Sequence, residues 1–258
     1  MSLINQLPQR IQTELEAKSL LKVISGLNNF NVNSITMIAK AATIGGADIV
    51  DIACKPDLVE IVTQVCDIPI CVSAVAPELF VDCVKAGATM VEIGNFDVFY
   101  ERGIIFSPEK VINLTKQTKQ ILPNIPLSVT VPHNISLDRQ VDLALQLVEE
   151  GADIIQTEGG TSAKPYSSGI QGYFEKSVPT LSATYAIKQE FLKNNIKNPI
   201  MSASGLTKVT CPMAITCGAS AVGVGSEINK LDNLLSMVAI TRALKESLVN
   251  MLIAQKIT

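Results

Sequence analysis

Three side chains that could take part in chemistry stand at the same place of a repeated sequence pattern. Asp51, Glu92 and Gln156 each come four residues after the alanine of a Gly-Ala pair, and a fourth copy of the pattern carries Gly223 there. Two residues further on, the third copy adds Glu158. Carboxylates that share one enclosed space can serve as acids or bases, because neighbouring charges and burial shift their proton affinities.

The pattern predicts the elements that hold these residues. Each copy begins with Gly-Ala at the end of a helix, where glycine tolerates the left-handed backbone, and continues as a short apolar strand buried on both faces. The four copies cover 45–54, 87–94, 151–158 and 218–225. Four more strands alternate with them, and three of these carry proline near the start, which loses no ladder hydrogen bond there. They are predicted over 20–26, 68–74, 125–131 and 198–204.

Amphipathic segments alternate with the strands, and this alternation predicts a parallel sheet with right-handed crossovers. Eight strand–helix units in 258 residues predict an α/β fold, a closed (β/α)8 or TIM barrel that forms one domain over 1–258. A doubly wound open sheet is the alternative, but it does not produce a two-strand alternation repeated four times. Residues 1–18 predict a helical extension whose apolar side covers the barrel floor with Leu3, Leu7, Ile11 and Leu15. The other helices are predicted at 31–44, 57–66, 77–86, 108–121, 136–150, 178–195, 207–217 and 228–253.

The alternation of side chains along a strand predicts which residues face the lumen. The acids face inward, because an unpaired carboxylate against the apolar helix layer would cost a great deal of free energy. The same alternation brings Lys22 inside with Asp51, Glu92 and Gln156. A layer of ion pairs that only stabilises the barrel is the alternative, although such pairs often fail to offset their desolvation. We predict catalytic roles for Lys22, Asp51, Glu92 and Glu158, and substrate binding by Gln156.

The strand 7 and strand 8 ends carry small residues. Ser204, Gly205, Gly225 and Ser226 leave backbone N–H groups free to approach an anion, and barrels frequently hold a substrate phosphate at this place. We predict that these four residues bind phosphate. The alternative is that the glycines only form tight turns.

Two long loops follow strands at the same end of the barrel. The loop after strand 6, at 159–174, is far longer than a usual strand-to-helix connection and has glycines at both ends. We predict a lid that binds substrate through Lys164 and Tyr166, and a flexible insertion is the alternative. The loop over 95–106, after strand 4, contributes Asp97, Tyr100 and Arg102.

His133 is the sole histidine, and it follows strand 5 at the catalytic rim, where an imidazole can exchange protons near neutral pH. We predict a catalytic role for it, with a merely solvated side chain as the alternative. A single histidine argues against a catalytic zinc site, so no metal is predicted. No Gly-x-Gly-x-x-Gly segment leads from a strand into a helix, and no cofactor is indicated.

Composition narrows the classes of partner. A net charge of −3 gives no basic surface for nucleic acid, and no apolar run approaches the length of a membrane span. The first 18 residues resemble neither a secretory signal nor a transit peptide. The six cysteines show no Cys-x-x-Cys spacing, which predicts buried free thiols and a reducing compartment. The oligomeric state stays open, a homo-oligomer included.

The assembled motifs closely resemble the plastid-encoded and cyanobacterial conserved reading-frame family of predicted (β/α)8 barrels. The resemblance extends over nearly the whole chain and is carried by the segments at 20–27, 45–53, 156–160 and 202–205. It implies the barrel fold and a location in the plastid stroma, or in the cytoplasm of a cyanobacterium, and it assigns no catalytic residue. The segment at 45–51 also resembles thiazole synthase and aldolase-like barrels, which often place a Schiff-base lysine in the lumen.

The leading hypothesis is an enzyme of the lyase, aldolase or isomerase type that acts on a small phosphorylated carbonyl metabolite. Lys22 would form an imine or polarise a carbonyl, and the lumen acids would move protons. The competing hypothesis is a non-catalytic sensor or regulatory protein that binds a phosphorylated metabolite without turnover. An outward Lys22, or one locked in a buried ion pair with no open cavity above it, would weaken the enzyme hypothesis.

Overall fold

Eight parallel strands close into one barrel in the order in which they occur along the chain. The computed structural model describes residues 3–159 and 165–257 of the chain, with side chains through residue 250. The strands are β1 (Leu20–Ile24), β2 (Ile49–Ala53), β3 (Ile70–Ala74), β4 (Met90–Ile93), β5 (Leu127–Val131), β6 (Ile154–Thr157), β7 (Ile200–Ala203) and β8 (Ala221–Val224). The barrel closes where Lys22 of β1 pairs with Gly223 of β8, so the predicted fold class is confirmed.

Helices cover the outside of the barrel and alternate with the strands. They are α1 (Gln9–Glu16), α2 (Val32–Gly45), α3 (Pro56–Thr63), α4 (Phe80–Lys85), α5 (Asp97–Tyr100), α6 (Pro108–Ile121), α7 (Leu137–Glu149), α8 (Gly169–Lys193), α9 (Cys211–Thr216), α10 (Ser226–Asn229) and α11 (Leu234–Ile257). Short 3₁₀ turns precede α1 at Leu3–Gln6 and α4 at Pro77–Leu79. The apolar outward face of the strands packs against the helices in one continuous core.

The repeated Gly-Ala pairs lie where the pattern predicts, between a helix and the strand that follows it. Gly46 ends α2 with φ of 85°, and Gly151 follows α7 with φ of 98°, a left-handed backbone that favours glycine. The aspartates after two of these pairs join neighbouring strands at the barrel floor. Asp48 accepts the N–H of Leu21 at 2.8 Å, and Asp153 accepts the N–H of Leu127 at 2.9 Å.

The floor of the barrel is apolar and is closed by the amino-terminal segment. Leu7, Ile11 and Leu15 are buried against the first inward residue of most strands, which confirms the predicted covering of the floor for these three; Leu3 is only half-buried, and Ile4 packs against the cluster instead. The strand residues in this cluster are Leu20, Ile49, Cys71, Met90, Ile154, Met201 and Ala221. The polar residues of the lumen therefore lie above a sealed apolar layer.

Three differences from the predicted elements are the largest. The stretch expected to be a loop up to residue 174 already becomes helical at Gly169, so α8 begins nine residues before the predicted start at 178. Pro179 lies inside this helix. The loop after β4 contains the short α5, and the predicted carboxyl-terminal helix is divided into α10 and α11. Apolar patterning locates helices but does not mark where short helical turns interrupt a loop.

Candidate functional site

The lower polar layer of the lumen is a compact network around one lysine. The ammonium group of Lys22 forms an ion pair with Glu92 and donates to Oε1 of Gln156 at 2.7 Å. The amide nitrogen of Gln156 donates to Oε1 of Glu92 at 2.7 Å and to Oγ1 of Thr130 at 3.1 Å. Lys22, Glu92 and Thr130 are fully buried, and Gln156 is nearly so. Strands β1, β4, β5 and β6 thus each supply one member.

Asp51 completes this layer from the neighbouring strand. Its carboxylate accepts the hydroxyl of Ser73 at 2.6 Å and the side-chain amide of Asn95 at 3.3 Å. Burial raises the pKa of Asp51 to about 7, although the Lys22 ammonium opposes the rise. Burial alone would lower the pKa of Lys22, but the carboxylates of Glu92 and Asp51 reverse this and hold the pKa above its usual value. Lys22 is therefore a fixed cation in this layer.

A second polar cluster lies above the first, at the carboxyl ends of the strands. Oε1 of Glu158 accepts the hydroxyl of Tyr100 at 2.5 Å and lies 2.9 Å from Nδ1 of His133. Oδ1 of Asp97 lies 3.7 Å from the same ring nitrogen. The ring of Tyr100 also meets the ring of His133 edge to face, with centroids 5.2 Å apart. Loops after β4, β5 and β6 supply these four side chains.

Two carboxylate oxygens of this cluster are buried and accept no hydrogen bond from the described part of the chain. They are Oε2 of Glu158 and Oδ1 of Asp97. The Glu158 side chain is 5% exposed and the Asp97 side chain is 14% exposed. A buried carboxylate oxygen without a partner is costly, because desolvation is then uncompensated.

The charges of this cluster shift the proton affinities of its members. Burial raises the pKa of Glu158, and the hydrogen bond from His133 opposes this rise only in part. Burial would lower the pKa of His133, but the hydrogen bond and charge of Glu158, together with the charge of Asp97, hold that pKa above its usual value. Burial and the neighbouring Glu158 carboxylate raise the pKa of Tyr100. The hydroxyl of Tyr100 therefore stays a hydrogen-bond donor to Glu158.

The upper cluster opens into a cavity of about 250 Å³ at the mouth of the barrel. Asp97 and Glu158 line one side of it, and Thr130 and Gln156 belong to its lining together with Gly223. Lys22 and His133 do not line the cavity. Lys22 lies close beneath it, since a Cβ built on Gly223 would stand 3.6 Å from Cε of Lys22.

The loops after β7 and β8 line the other side of the cavity. Ser204, Gly205, Gly225 and Ser226 all belong to its lining, so the structure brings the four predicted phosphate residues together. The backbone N–H groups of Gly205, Gly225 and Ser226 donate to no backbone carbonyl within the described part of the chain. Gly225 is closely packed, because a Cβ there would lie 3.0 Å from the carbonyl oxygen of Ile24. The hydroxyl of Ser204 donates to Oδ2 of Asp97 at 3.2 Å and joins the two sides of the cavity.

One of the predicted substrate-binding residues, Tyr166, does not line this cavity. The side chain of Tyr166 is fully exposed, and its backbone N–H donates to Glu175 at 2.7 Å, because the chain turns there into the start of α8. Tyr166 therefore does not contact the cavity in this structure, and its role in a lid that closes on the substrate stays a prediction. Lys164 lies outside the described residues.

Sequence reasoning assigned no role to Asp97, Tyr100 or Asn95. All three follow β4, and the length of that loop was the available signal. Their contacts with Glu158 and Asp51 cross from one loop to another, and spacing along the chain does not encode such contacts. Spacing along the chain likewise does not encode the grouping of Asp97, His133 and Glu158. One side-chain oxygen or nitrogen atom of each lies within 4.8 Å of the corresponding atoms of the other two.

Comparison with known proteins places the chain in a family. A family model described as "Protein of unknown function (DUF561)" matches residues 4–254. The "Uncharacterized protein ycf23" of Cyanophora paradoxa is 45% identical over 230 residues, which cover 89% of this chain and 92% of that protein. The protein of the same name from Porphyra purpurea is 40% identical over 229 residues, covering 89% and 84%. These relatives are plastid-encoded proteins. No helix in the described ranges is long and apolar enough to cross a membrane.

Solved structures share the fold at low sequence identity. Thiamine phosphate pyrophosphorylase from Pyrococcus furiosus has a TM-score of 0.60 and 16% identity, over 92% of this chain and 98% of that one. A protein described as "QR15, an Aldolase" gives a TM-score of 0.61 at 16% identity, covering 90% and 96%. A 3-hexulose-6-phosphate synthase gives 0.61 at 18% identity, covering 88% and 99%. These similarities confirm the TIM-barrel fold.

Proposed function

We propose that this chain, which belongs to the DUF561 family, is an enzyme of the lyase, aldolase or isomerase type. Its substrate would be a small phosphorylated carbonyl compound. One observation supports this most directly: a single cavity joins a side lined by backbone N–H groups with a side lined by buried carboxylates. A location in the plastid stroma, or in the cytoplasm of a cyanobacterium, belongs to the same proposal, following the plastid genes of the relatives.

The phosphate of the substrate would bind at the loops after β7 and β8. Gly205, Gly225 and Ser226 present N–H groups there, and a backbone without bulky side chains allows an anion to come close. Phosphate sites at these two loops are common in TIM barrels. Two of the similar solved structures, a thiamine phosphate pyrophosphorylase and a 3-hexulose-6-phosphate synthase, carry a phosphorylated compound in their names, which is consistent with this site.

The carbonyl end of the substrate would lie against Glu158 and Asp97. A cavity of about 250 Å³ suits a molecule of a few carbon atoms, so a phosphate at Ser226 leaves the carbonyl within the reach of this side. Reactions that form or break a bond beside a carbonyl create negative charge on its oxygen and require a proton to move. The Glu158–His133 pair can exchange that proton, with Tyr100 fixing one oxygen of Glu158.

Lys22 would act in this enzyme as a fixed charge, which differs from the imine expected from the sequence. Its nitrogen is fully buried and is engaged by Glu92 and Gln156, so a substrate carbonyl cannot reach it without breaking this network. Gln156 lines the cavity and accepts a hydrogen bond from Lys22. The charge of Lys22 therefore orients the amide at the cavity floor.

A non-catalytic protein that binds a phosphorylated metabolite is the second candidate function. It would use the same cavity and the same phosphate loops. The burial of Lys22 in an ion pair favours it, because the most reactive side chain of the lumen is then not available to a ligand. The open cavity above Lys22 and the partnerless oxygen of Glu158 favour the enzyme.

Solvent deuterium exchange separates the two functions. The protein is incubated in D2O with a panel of small aldose and ketose phosphates, and NMR follows deuterium entering the carbon beside the carbonyl. We expect exchange with at least one compound, and we expect Glu158→Gln to slow it by about a hundredfold or more. Glu101→Gln removes an exposed carboxylate that lines the same cavity and serves as the matched control, with little change expected.

Binding is measured in parallel by calorimetry. Ser226→Asp places a negative charge among the proposed phosphate ligands and should weaken binding at least tenfold. Binding without exchange by any compound would refute the enzyme and leave the binding protein. If none of the compounds binds, both candidate functions are wrong.

A further inference from the structure

We infer that Asp97, His133 and Glu158 form a binding site for a divalent transition-metal cation at the mouth of the barrel. The binding itself is independent of the proposed function. The role that the cation would have rests on that function: bound to Glu158 and His133, it would hold the carbonyl oxygen of the substrate and stabilise its charge, in place of proton exchange by that pair. No spacing along the chain indicates such a site, because its three members come from three separate loops.

The arrangement of the three side chains fits one small cation. One ligand atom from each lies within 4.8 Å of the other two, and the closest pair, Nδ1 of His133 and Oε1 of Glu158, is 2.9 Å apart. Two ligands bound to one cation at about 2.1 Å stand roughly 3 Å apart when the angle between them is near 90°. The third atom, Oδ1 of Asp97, is 3.7 Å from the histidine nitrogen and closes the triangle.

A separate observation also indicates a ligand here. Oδ1 of Asp97 and Oε2 of Glu158 are buried and accept no hydrogen bond within the described residues. The Glu158 side chain is only 5% exposed, so solvent offers its second oxygen little compensation. Two carboxylates face one imidazole in this desolvated place, and a protonated imidazole would balance only one of them; a divalent cation bound by all three would balance both.

Neighbouring residues hold the ligands in place from outside. Tyr100 donates to Oε1 of Glu158, and Ser204 donates to Oδ2 of Asp97. Oδ1 of Asp97 thus stays open to the cation, and Glu158 can bind it through Oε1, which faces Nδ1 of His133, or through Oε2, which accepts no hydrogen bond within the described residues. Outer hydrogen bonds of this kind are typical of metal sites, where they orient the ligating groups. Tyr100 and Ser204 would be positioning residues rather than ligands.

The ligand set indicates the class of cation. Two carboxylates with one imidazole suit Mn²⁺, Fe²⁺, Co²⁺ or Zn²⁺ better than Ca²⁺, which prefers oxygen ligands alone. Three protein ligands leave coordination positions open, as in catalytic rather than structural sites. Asp97 and Glu158 line the cavity, so these positions would face the substrate.

The single histidine allows a direct test on the wild-type protein. With histidine labelled by ¹⁵N and ¹³C, the imidazole signals belong to His133 alone. We expect Mn²⁺ at less than one equivalent to broaden these signals selectively, and Zn²⁺ to shift them until one equivalent is bound. Signals that stay unchanged at millimolar Mn²⁺ and Zn²⁺ would overturn the inference.

Variants test the two carboxylates. Calorimetric titration with Mn²⁺ should give one site in the wild type, and Asp97→Asn and Glu158→Gln should each weaken binding by at least tenfold. Glu101→Gln should bind as the wild type does, since it removes a charge from the same cavity but lies outside the cluster. Equal affinity in Asp97→Asn and wild type would overturn the inference. Circular dichroism of each variant checks that it is folded, and the NMR titration needs no variant.

The outcome is separable from that of the proposed function. Mn²⁺ binding that broadens His133 without any deuterium exchange would support the metal site and count against the enzyme. Exchange that persists in a protein shown by NMR to bind neither cation would support the enzyme and overturn the metal site.

Discussion

Replacing Lys22 by methionine tests how the lower layer of the lumen is held together. The substitution keeps a long apolar side chain and removes the ammonium group that contacts Glu92 and Gln156. Glu92 and Asp51 are both fully buried and would lose the ammonium group that offsets their negative charge. Breaking a buried ion pair from one side costs about 3–5 kcal/mol, because the remaining charge is desolvated and uncompensated. For a domain whose free energy of unfolding is about 5–15 kcal/mol, this is roughly a fifth of that free energy or more.

A second substitution separates charge from packing. Adding Glu92→Gln to the Lys22→Met variant removes the stranded charge and keeps an oxygen that can accept the hydrogen bond from Gln156. We expect the double variant to regain about 2 kcal/mol or more of the loss, so the two substitutions are strongly non-additive. If altered packing were the cause of the lower stability of Lys22→Met, then Glu92→Gln would lower the free energy of unfolding further.

Urea unfolding followed by circular dichroism at pH 7.5 measures these free energies. The midpoint should fall in the Lys22→Met variant and rise again in the double variant, with an unchanged slope. The prediction is wrong if Lys22→Met lowers the free energy of unfolding by less than about 1 kcal/mol, or if the double variant is no more stable than the single one. Either result would mean that the ion pair contributes little and that the layer is held by packing around it.

Two other predictions follow from the same layer. The pKa of Asp51 is raised to about 7 from its ordinary value near 3.8, so folding favours its protonated form. Stability should therefore fall as the pH rises from about 4 to 7, by roughly 4 kcal/mol at most, and Asp51→Asn should flatten this part of the pH profile in urea titrations. An equally steep profile in the variant would contradict this assignment. Borohydride added with a bound carbonyl phosphate should leave Lys22 unmodified in peptide mass spectra, because its nitrogen is sealed by Glu92 and Gln156; a reduced adduct on Lys22 would show that the network opens.

The repeated pattern predicted the barrel and the inward residues of its strands because both depend on local geometry. Whether a strand residue faces inward depends only on its position along that strand. Aligning the copies therefore predicts that Asp51, Glu92 and Gln156 lie at one level of the barrel lumen. The same rule predicts that Lys22 of β1 faces the lumen, and the contacts of its nitrogen with Glu92 and Gln156 confirm this. The apolar spacing of the first helix likewise indicated its place at the floor.

The upper cluster depends on loops, and its contacts could not be predicted in the same way. Asp97 and Tyr100 meet Glu158 because α5 forms a short turn after β4 that directs both side chains across the mouth. No periodicity encodes such a turn, and a four-residue helix has too few residues to show one. The exposure of Tyr166 could not be predicted for a related reason. The helix α8 already begins at Gly169, which shortens the predicted lid, and the tyrosine side chain faces solvent.

Gln156 connects the lower polar layer with the cavity above it. Both of its amide hydrogens are used, on Glu92 and Thr130, and its oxygen accepts from Lys22. A flipped amide would direct its oxygen at the carboxylate of Glu92 and its nitrogen at an ammonium group, so only one orientation is stable. Gln156 also lines the cavity, two residues before Glu158. The buried charge of Lys22 therefore fixes the cavity floor on which the groups above it are arranged, and a lumen lysine can serve a site in this way without touching its ligand.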